Sequence, residues 1–342
     1  MAERILILGP SWVGDMVLAH SLFQSLKARR PDAHVAVAAP GWTLPLLARM
    51  PEVDEAIGLP FRHGELALGE RIRFGRSLRG KHFTQAILLV NSLKSAILPI
   101  AADIPRRTGF LGEFRYGLLN DIRPLDKAAL PRTVDRFVAL GLETDEVLPA
   151  VLPQPCLHAD SASALATMQK LGIARPEAPV LALCPGAEYG PAKRWPEAYY
   201  AEVANQMLSR GWQVWLFGSE KDTPVTANIN RLTQERCRDL SGKTSLGEAI
   251  DLMSLASAVV SNDSGLMHVA AALQLPLVAI YGSSDPSHTP PMSDKARVLS
   301  LNLSCSPCFK RECPLGHLRC LRDIAPERII ENLPSSGGIR SL

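Results

Sequence analysis

Residues 4–16 run Arg4-Ile5-Leu6-Ile7-Leu8-Gly9-Pro10-Ser11-Trp12-Val13-Gly14-Asp15-Met16. Ile5 to Leu8 is an unbroken apolar run of strand length, so it reads as a strand buried on both faces. Gly9 and Gly14 bracket the turn that follows. Met16, Val17, Leu18, Leu22, Phe23 and Leu26 then give residues 14–30 the look of a helix. The alternation continues with a strand at 34–39, a helix at 43–50 and a strand at 85–90. Strands this apolar, separated by helix-length segments, require parallel pairing with helices on both sheet faces. That is a doubly wound α/β domain.

A proline-rich stretch around Pro149–Pro155, with Pro176 and Pro179 soon after, interrupts the pattern, which then restarts. Strands are expected at 180–184, 213–217, 258–261 and 277–281, and helices at 196–209, 246–255, 265–273 and 326–333. The division read from this is an N-terminal α/β domain over 1–155, a linker over 156–178, a C-terminal α/β domain over 179–325, and a terminal helix and tail over 326–342. No sequence repeat links the two halves.

Composition narrows the function. Over 342 residues, 37 Lys plus Arg against 34 Asp plus Glu leave a net charge of +3, too near balance to indicate a nucleic-acid partner. Aromatics at 6% provide few stacking platforms for single strands. No apolar run approaches the ~20 residues of a spanning helix, and the N-terminus lacks a secretory pattern. Seven cysteines, an odd number, fit a reducing compartment better than a disulfide framework. A cytoplasmic protein is expected.

In open parallel sheets, ligands bind beyond the carboxyl ends of the strands, and three such loops carry unusual residues. In 9–16, Asp15 at the helix start is either a first-turn carboxylate favoured by the helix dipole or a general base toward a hydroxyl. The loop is not GxGxxG, and no acid ends the second strand, which weakens a dinucleotide reading. In 184–196, Lys193 and Arg194 precede a helix N-terminus that itself favours anions; a solvated basic pair is the plain alternative. In 259–268, Asn262, Asp263 or Ser264 can cap a helix whose Gly265, Leu266 and Met267 amides are free to receive a diphosphate. His268 is either a first-turn histidine or a phosphate donor. There is no Walker loop and no D-x-D. A diphosphate leaving group without metal would need Lys193, Arg194 and the helix dipole to offset its charge, which points to sugar transfer.

The segments PSWVGDM at 10–16, PGAEYGPAKRWP at 185–196 and SNDSGLMHVAAAL at 261–273 resemble the ADP-heptose:lipopolysaccharide heptosyltransferases, over essentially the whole chain. PSWVGD, AEYGPAKRWP and the late CSPCFKRECPLGHLRC at 305–320 look most like the heptosyltransferase II branch. The resemblance implies an inverting GT-B glycosyltransferase, two Rossmann-like domains facing a central cleft. It implies heptose transfer from ADP-L-glycero-D-manno-heptose to the first heptose of the lipopolysaccharide inner core, with no cofactor and no divalent metal. The family's Gly-Asp matches Gly14-Asp15, which makes Asp15 the base. Its phosphate-binding lysine matches Lys193, and its Asp-Ser/Thr-Gly-Leu matches Asp263-Ser264-Gly265-Leu266. The ribose-binding acid corresponds to Glu220, with Asp222 a rival, and Thr244 flanks the adenine.

An anionic lipopolysaccharide precursor suits the basic residues of the first half. Arg62, Arg71, Arg73, Arg76, Arg79 and Lys81 place six positive charges between 62 and 81, and Arg106, Arg107, Arg115 and Arg123 follow. Arg62, Arg71, Arg73 and Arg115 are taken as acceptor contacts; the same stretch suits peripheral contact with the inner membrane's anionic cytoplasmic leaflet, and a solvated basic face is the plain reading. Cys305-x2-Cys308-x4-Cys313-x6-Cys320, with His317, reads as free thiols by default and as a structural metal site in the alternative. Rival functions are a sibling glycosyltransferase with another nucleotide sugar or a Kdo-lipid A acceptor, and, more remotely, a nicotinamide oxidoreductase.

Overall fold

The computed structural model describes residues 3–61, 64–335 and 337–340. The chain forms two compact units, Met1–Pro155 and Cys156–Leu342. The first holds strands β1 (Arg4–Leu8), β2 (His34–Pro40), β3 (Glu55–Leu59), β4 (Gln85–Leu88), β5 (Arg106–Phe110) and β6 (Asp121–Arg123). The second holds β7 (Val180–Cys184), β8 (Gln213–Leu216), β9 (Arg238–Asp239), β10 (Ala258–Asn262), β11 (Leu277–Ile280) and β12 (Ala296–Leu299). The sheets run β3-β2-β1-β4-β5-β6 and β12-β11-β10-β7-β8-β9, and every pairing is parallel. Numbered within its own unit, each sheet has the order 3-2-1-4-5-6, the doubly wound arrangement. The α/β expectation holds in both halves.

This order has a consequence for the site. The strand order reverses between β1 and β4 in one sheet and between β7 and β10 in the other. Helices leaving two such neighbours go to opposite faces, so a crevice opens beyond the strand ends. The loops after β7 and β10 therefore flank one switch point, and the loop after β1 lies at the other. The central strands that set these points are sealed: Ile5, Leu6, Ile7, Leu181, Ala182, Val259 and Val260 are all buried.

The expected central strands are all present within a residue or two. The strands without an expectation, β3, β5, β6, β9 and β12, are outer or edge strands with part-exposed residues. One face or end of each is wet, so none shows a continuous apolar run. The helix expected over 43–50 is shorter: a 3-10 turn at Gly41–Thr43 followed by Leu44–Leu47. Residues 156–178, read as a linker, are packed structure. Leu157 donates its N–H to the Ala272 carbonyl at 2.9 Å. A helix at Ser161–Lys170 is capped by Asp160, whose carboxylate accepts from the Ala162 and Ser163 amides. The terminal helix Pro326–Glu331 buries Ile329 and Ile330 in the second unit's core.

Replacing Asp160 with Ala removes the only side-chain cap of that helix and should lower the unfolding free energy by about 1 kcal/mol. Urea denaturation measures it, and an unstructured linker would give no change.

Candidate active site

β10 ends in Asn262, and each polar residue beyond it has a separate task. Buried Asn262 is a clamp on the loop after β7. Its Oδ1 accepts from the Trp195 amide at 3.1 Å and the Tyr200 hydroxyl at 3.0 Å, and its Nδ2 donates to the Pro185 carbonyl at 2.6 Å. Asp263, also buried, pairs with Lys193: Nζ to Oδ2 is 2.5 Å. The Ser284 hydroxyl donates to the same oxygen at 2.5 Å. Ser264 occupies the N-cap position of Gly265–Ala272 without a side-chain cap bond. So none of the three residues expected to cap this helix does so by a side-chain bond, and the first-turn amides keep their anion-binding capacity.

Around this helix end the structure holds polar groups that are dry and unpartnered. Arg194 Nε and His268 Nδ1 are buried with no hydrogen-bond partner among the described residues. Such groups cost about 1–3 kcal/mol each unless a ligand or water meets them. Burial, opposed by nearby Asp263 and reinforced by Lys193, pushes the His268 imidazole down to about 4. It is therefore neutral at physiological pH. Lys193 also lies over the Tyr189 ring, 5.1 Å from its centroid. A half-buried lysine, a buried guanidinium nitrogen, open helix amides and a neutral imidazole beside one switch point are groups that suit an anionic, oxygen-rich ligand.

The loop bearing Lys193 is held from outside by the 305–320 segment. The Ala192 amide donates to Arg311 O at 3.0 Å and the Tyr189 hydroxyl to Phe309 O at 2.7 Å. At Gly190, with φ 152°, a Cβ would come within 2.6 Å of that Arg311 carbonyl, so only glycine permits the contact. The same segment ties to the loop after β11: the Phe309 amide donates to Ser283 O at 2.7 Å, and the Ser306 hydroxyl to Gly282 O at 2.5 Å. Cys305, Cys308, Cys313 and Cys320 are free thiols. Burial and the other three thiols push the Cys320 thiol up.

After β8, the rivals Glu220 and Asp222 differ in their engagement. Asp222 accepts from the Ser219 amide at 2.9 Å and hydroxyl at 2.7 Å as the closing acid of a capping box, while Glu220 is exposed. Thr244 is half-buried, just before Ser245, which caps the helix Leu246–Met253. Sequence reasoning missed Ser283 and Ser284. Gly282-Ser283-Ser284 follows the apolar strand β11 just as the other site loops follow theirs, so the strand-end rule applied once more would have found them.

In the first unit, Gly14 and Asp15 lie in the first turn of the helix Val13–Arg29, which has Trp12 at its N-cap. Asp15 is half-buried, and the positive helix end favours its carboxylate. The loop before it is braced by Trp42, whose indole N–H donates to Ser11 O at 3.0 Å.

The basic residues part company with the sequence expectation. Arg62 lies outside the described residues. Arg71 is buried, donates to Leu66 O at 2.7 Å and Glu65 O at 3.1 Å, and packs over Phe61. Arg115 is fully buried and donates to Val90 O at 2.8 Å, Asn91 Oδ1 at 3.1 Å and Phe110 O. Both therefore tie strand-end loops together instead of facing an acceptor. Arg106, Arg123 and Lys81 are in ion pairs with Asp121, Glu143 and Glu55, Arg79 pairs with Asp103, and Arg107 holds the Leu118 and Ile104 carbonyls. Among the described residues, Arg73 and Arg76 are the exposed cations left in the group.

Residues 71–319 match the family model described as glycosyltransferase family 9 (heptosyltransferase). The chain belongs to this family. Along 339 residues it is 48% identical to the lipopolysaccharide heptosyltransferase 2 of Escherichia coli K12, covering 96% of this chain and 97% of that one. It is 46% identical to the lipooligosaccharide heptosyltransferase 2 of Haemophilus influenzae, over 96% and 98%. The solved E. coli ADP-heptose lipopolysaccharide heptosyltransferase II superposes with a TM-score of 0.87 at 46% identity, over 96% of this chain and 97% of that one. An E. coli heptosyltransferase solved with ADP shares the fold at 20% identity, with a TM-score of 0.70 over 96% and 99%. The family assignment makes the chain a glycosyltransferase of the heptosyltransferase type, with the α/β fold of its GT-B members. It also disposes of the nicotinamide oxidoreductase alternative. Among the described residues, no helix is long and apolar enough to cross a membrane.

Three measurements follow from these side chains. His268 takes up a proton near 6.5 when unfolded and near 4 when folded, so between those pH values the unfolded chain binds the extra proton. Stability should fall by about 3 kcal/mol as pH drops through that window and then level; His268→Gln should flatten the slope in denaturant titrations. Arg115→Met should lower stability by about 2 kcal/mol or more through its orphaned carbonyls. Arg73→Met should change stability by less than about 0.5 kcal/mol.

Proposed function

We propose that the chain moves L-glycero-D-manno-heptose from its ADP derivative to the first heptose of the lipopolysaccharide inner core, with inversion at the anomeric carbon. The Lys193–Asp263 pair beside the open start of the helix Gly265–Ala272 carries this reading. A donor diphosphate would take the amides of Gly265, Leu266 and Met267, together with Lys193 and the unpartnered Arg194 Nε. Asp263, relieved of Lys193, stays held by Ser284 and is available to sugar hydroxyls. His268, neutral and dry, would donate or accept one hydrogen bond without adding charge. Glu220 would meet the ribose and Thr244 the adenine.

Asp15 would act as general base. Its carboxylate takes the proton of the acceptor hydroxyl as that oxygen attacks the anomeric carbon, the glycosidic bond forms, and the bond to ADP breaks. Negative charge grows on the departing diphosphate, where Lys193, Arg194 and the helix amides are already oriented, so little reorganisation is needed. These groups supply the charge stabilisation that a divalent ion supplies in other transferases. On the acceptor side, Arg73 and Arg76 are the exposed cations suited to the carboxylates and phosphates of the lipopolysaccharide precursor, and to peripheral contact with an anionic leaflet. The acceptor bearing one heptose is preferred to Kdo-lipid A because the heptosyltransferase 2 enzymes of E. coli and H. influenzae align with 96% of the chain at 48% and 46% identity. The heptosyltransferase 1 of Pseudomonas aeruginosa is 32% identical over 47% of it.

Incubation with ADP-heptose and a core acceptor bearing one heptose should give one added heptose, with the linkage read by NMR. Equal transfer to Kdo-lipid A would overturn the acceptor assignment. Asp15→Asn should keep ADP affinity and lose about 10²–10⁴ in turnover; survival within a few-fold reduces Asp15 to a first-turn carboxylate. Lys193→Ala should weaken ADP binding about 10–100-fold, and unchanged affinity by calorimetry would remove its phosphate role.

A further inference from the structure

The transfer reaction leaves the four late cysteines without a task. Cys305, Cys308, Cys313 and Cys320 line one cavity of about 20 Å³, which they share with Ala192, Ser283, Leu315, His317 and Leu318 among others. That volume holds about one water-sized sphere. Residues 301–318 contain no helix or strand, yet this stretch supplies the carbonyls that hold Tyr189 and Ala192 beside Lys193. A segment with so little core of its own needs a staple to stay ordered.

The local chain is shaped to present sulfur. Cys305 and Cys308 form a Cys-x-x-Cys pair. The turn Cys313–Gly316 closes with the Gly316 amide donating to Cys313 O at 3.1 Å, with Gly316 at positive φ (69°). His317 is not the fourth ligand: its Nδ1 accepts from the Arg319 amide at 3.0 Å, which leaves the proton on Nε2. The thiols line the cavity without yet being gathered as metal ligands among the described residues, so binding must draw them together.

We propose that Cys305, Cys308, Cys313 and Cys320 bind one divalent transition-metal ion, zinc or ferrous iron, which fastens the 301–318 segment against the loop that carries Lys193. Four thiolates around one ion make the tetrahedral sulfur set that selects these metals. On binding, each thiol gives up its proton to solvent as its sulfur bonds to the metal, with no change in oxidation state. The ion would sit beside the donor site as a structural element, outside the reaction.

The full-length protein, reduced and stripped with chelator, should be titrated with Co(II) and then Zn(II), with metal content of chelator-free preparations measured alongside. One Co(II) per chain, with sulfur-to-cobalt charge-transfer absorption bleached by one Zn(II), supports the site. Cys308→Ser and Cys313→Ser, at half-exposed positions, should lose that absorption while keeping the native circular dichroism, and Cys156→Ser should retain it. Metal should slow tryptic cleavage after Lys310 and Arg311 by about tenfold, a readout independent of heptose transfer. Binding below about 0.2 equivalents, equal loss in Cys156→Ser, or disulfides among the four cysteines in anaerobically prepared protein would overturn the proposal.

Discussion

The ion pair of Lys193 with Asp263 organises the second unit's site. It is a short, mostly buried contact between residues on two different strand-end loops, and Ser284 from a third loop joins it. A pair this dry adds little net stability, because desolvation of both ions offsets their attraction. Its value is positional. It holds an ammonium group at the open start of a helix, where a phosphate oxygen offers a stronger partner than a carboxylate already shared with a serine hydroxyl. The surrounding polar groups fit such an exchange: Arg194 Nε and His268 Nδ1 are buried and unpartnered, an arrangement that a protein tolerates at sites where a ligand completes it.

Everything that holds this pair in place comes from outside the two residues. Asn262 ties the end of β10 to Pro185, Trp195 and Tyr200, so the loop after β7 cannot drift from the helix it must face. Trp195 is itself locked by its indole N–H on Ile324 O at 2.9 Å. The 305–320 segment closes the far side through the Phe309 and Arg311 carbonyls, the second of which approaches only because residue 190 is glycine. In the first unit the division of labour is similar. Arg71 and Arg115 look like ligand contacts in the sequence, yet their guanidinium groups join the loops beyond β3, β4 and β5. Arginine suits that task because five donors in one plane satisfy several carbonyls that water cannot reach.

Legibility followed burial. Central strands such as Ile5–Leu8 and Val180–Cys184 are covered on both faces, so their apolar runs announce them. Outer strands such as Arg106–Phe110 and Ala296–Leu299 carry charge on wet positions and resemble loops. The same rule explains the helix hidden in the supposed linker: its core face is three residues, Ala164, Thr167 and Met168, too few to stand out. Of the candidate site, Lys193, Arg194, Asp263 and the glycine-led helix start stand out in the sequence because small and polar residues follow an apolar strand abruptly. Ser284 was not, since a serine beyond one strand reveals nothing of a carboxylate beyond another.

By itself the amino-acid sequence determined that there are two α/β halves, where their central strands lie, and which loops carry unusual chemistry; local hydrophobic period and glycine placement are enough for that. It also determined the family, through motifs that sit on those loops. Only the tertiary structure decided strand order, and with it the switch points that bring the loops after β7 and β10 side by side. It alone decided which cations have partners, because pairing depends on residues distant in the chain: Asp121 and Glu143 for Arg106, the Val90 carbonyl for Arg115. A charge in a sequence is a property of one residue, whereas its availability to a ligand is a property of everything folded around it.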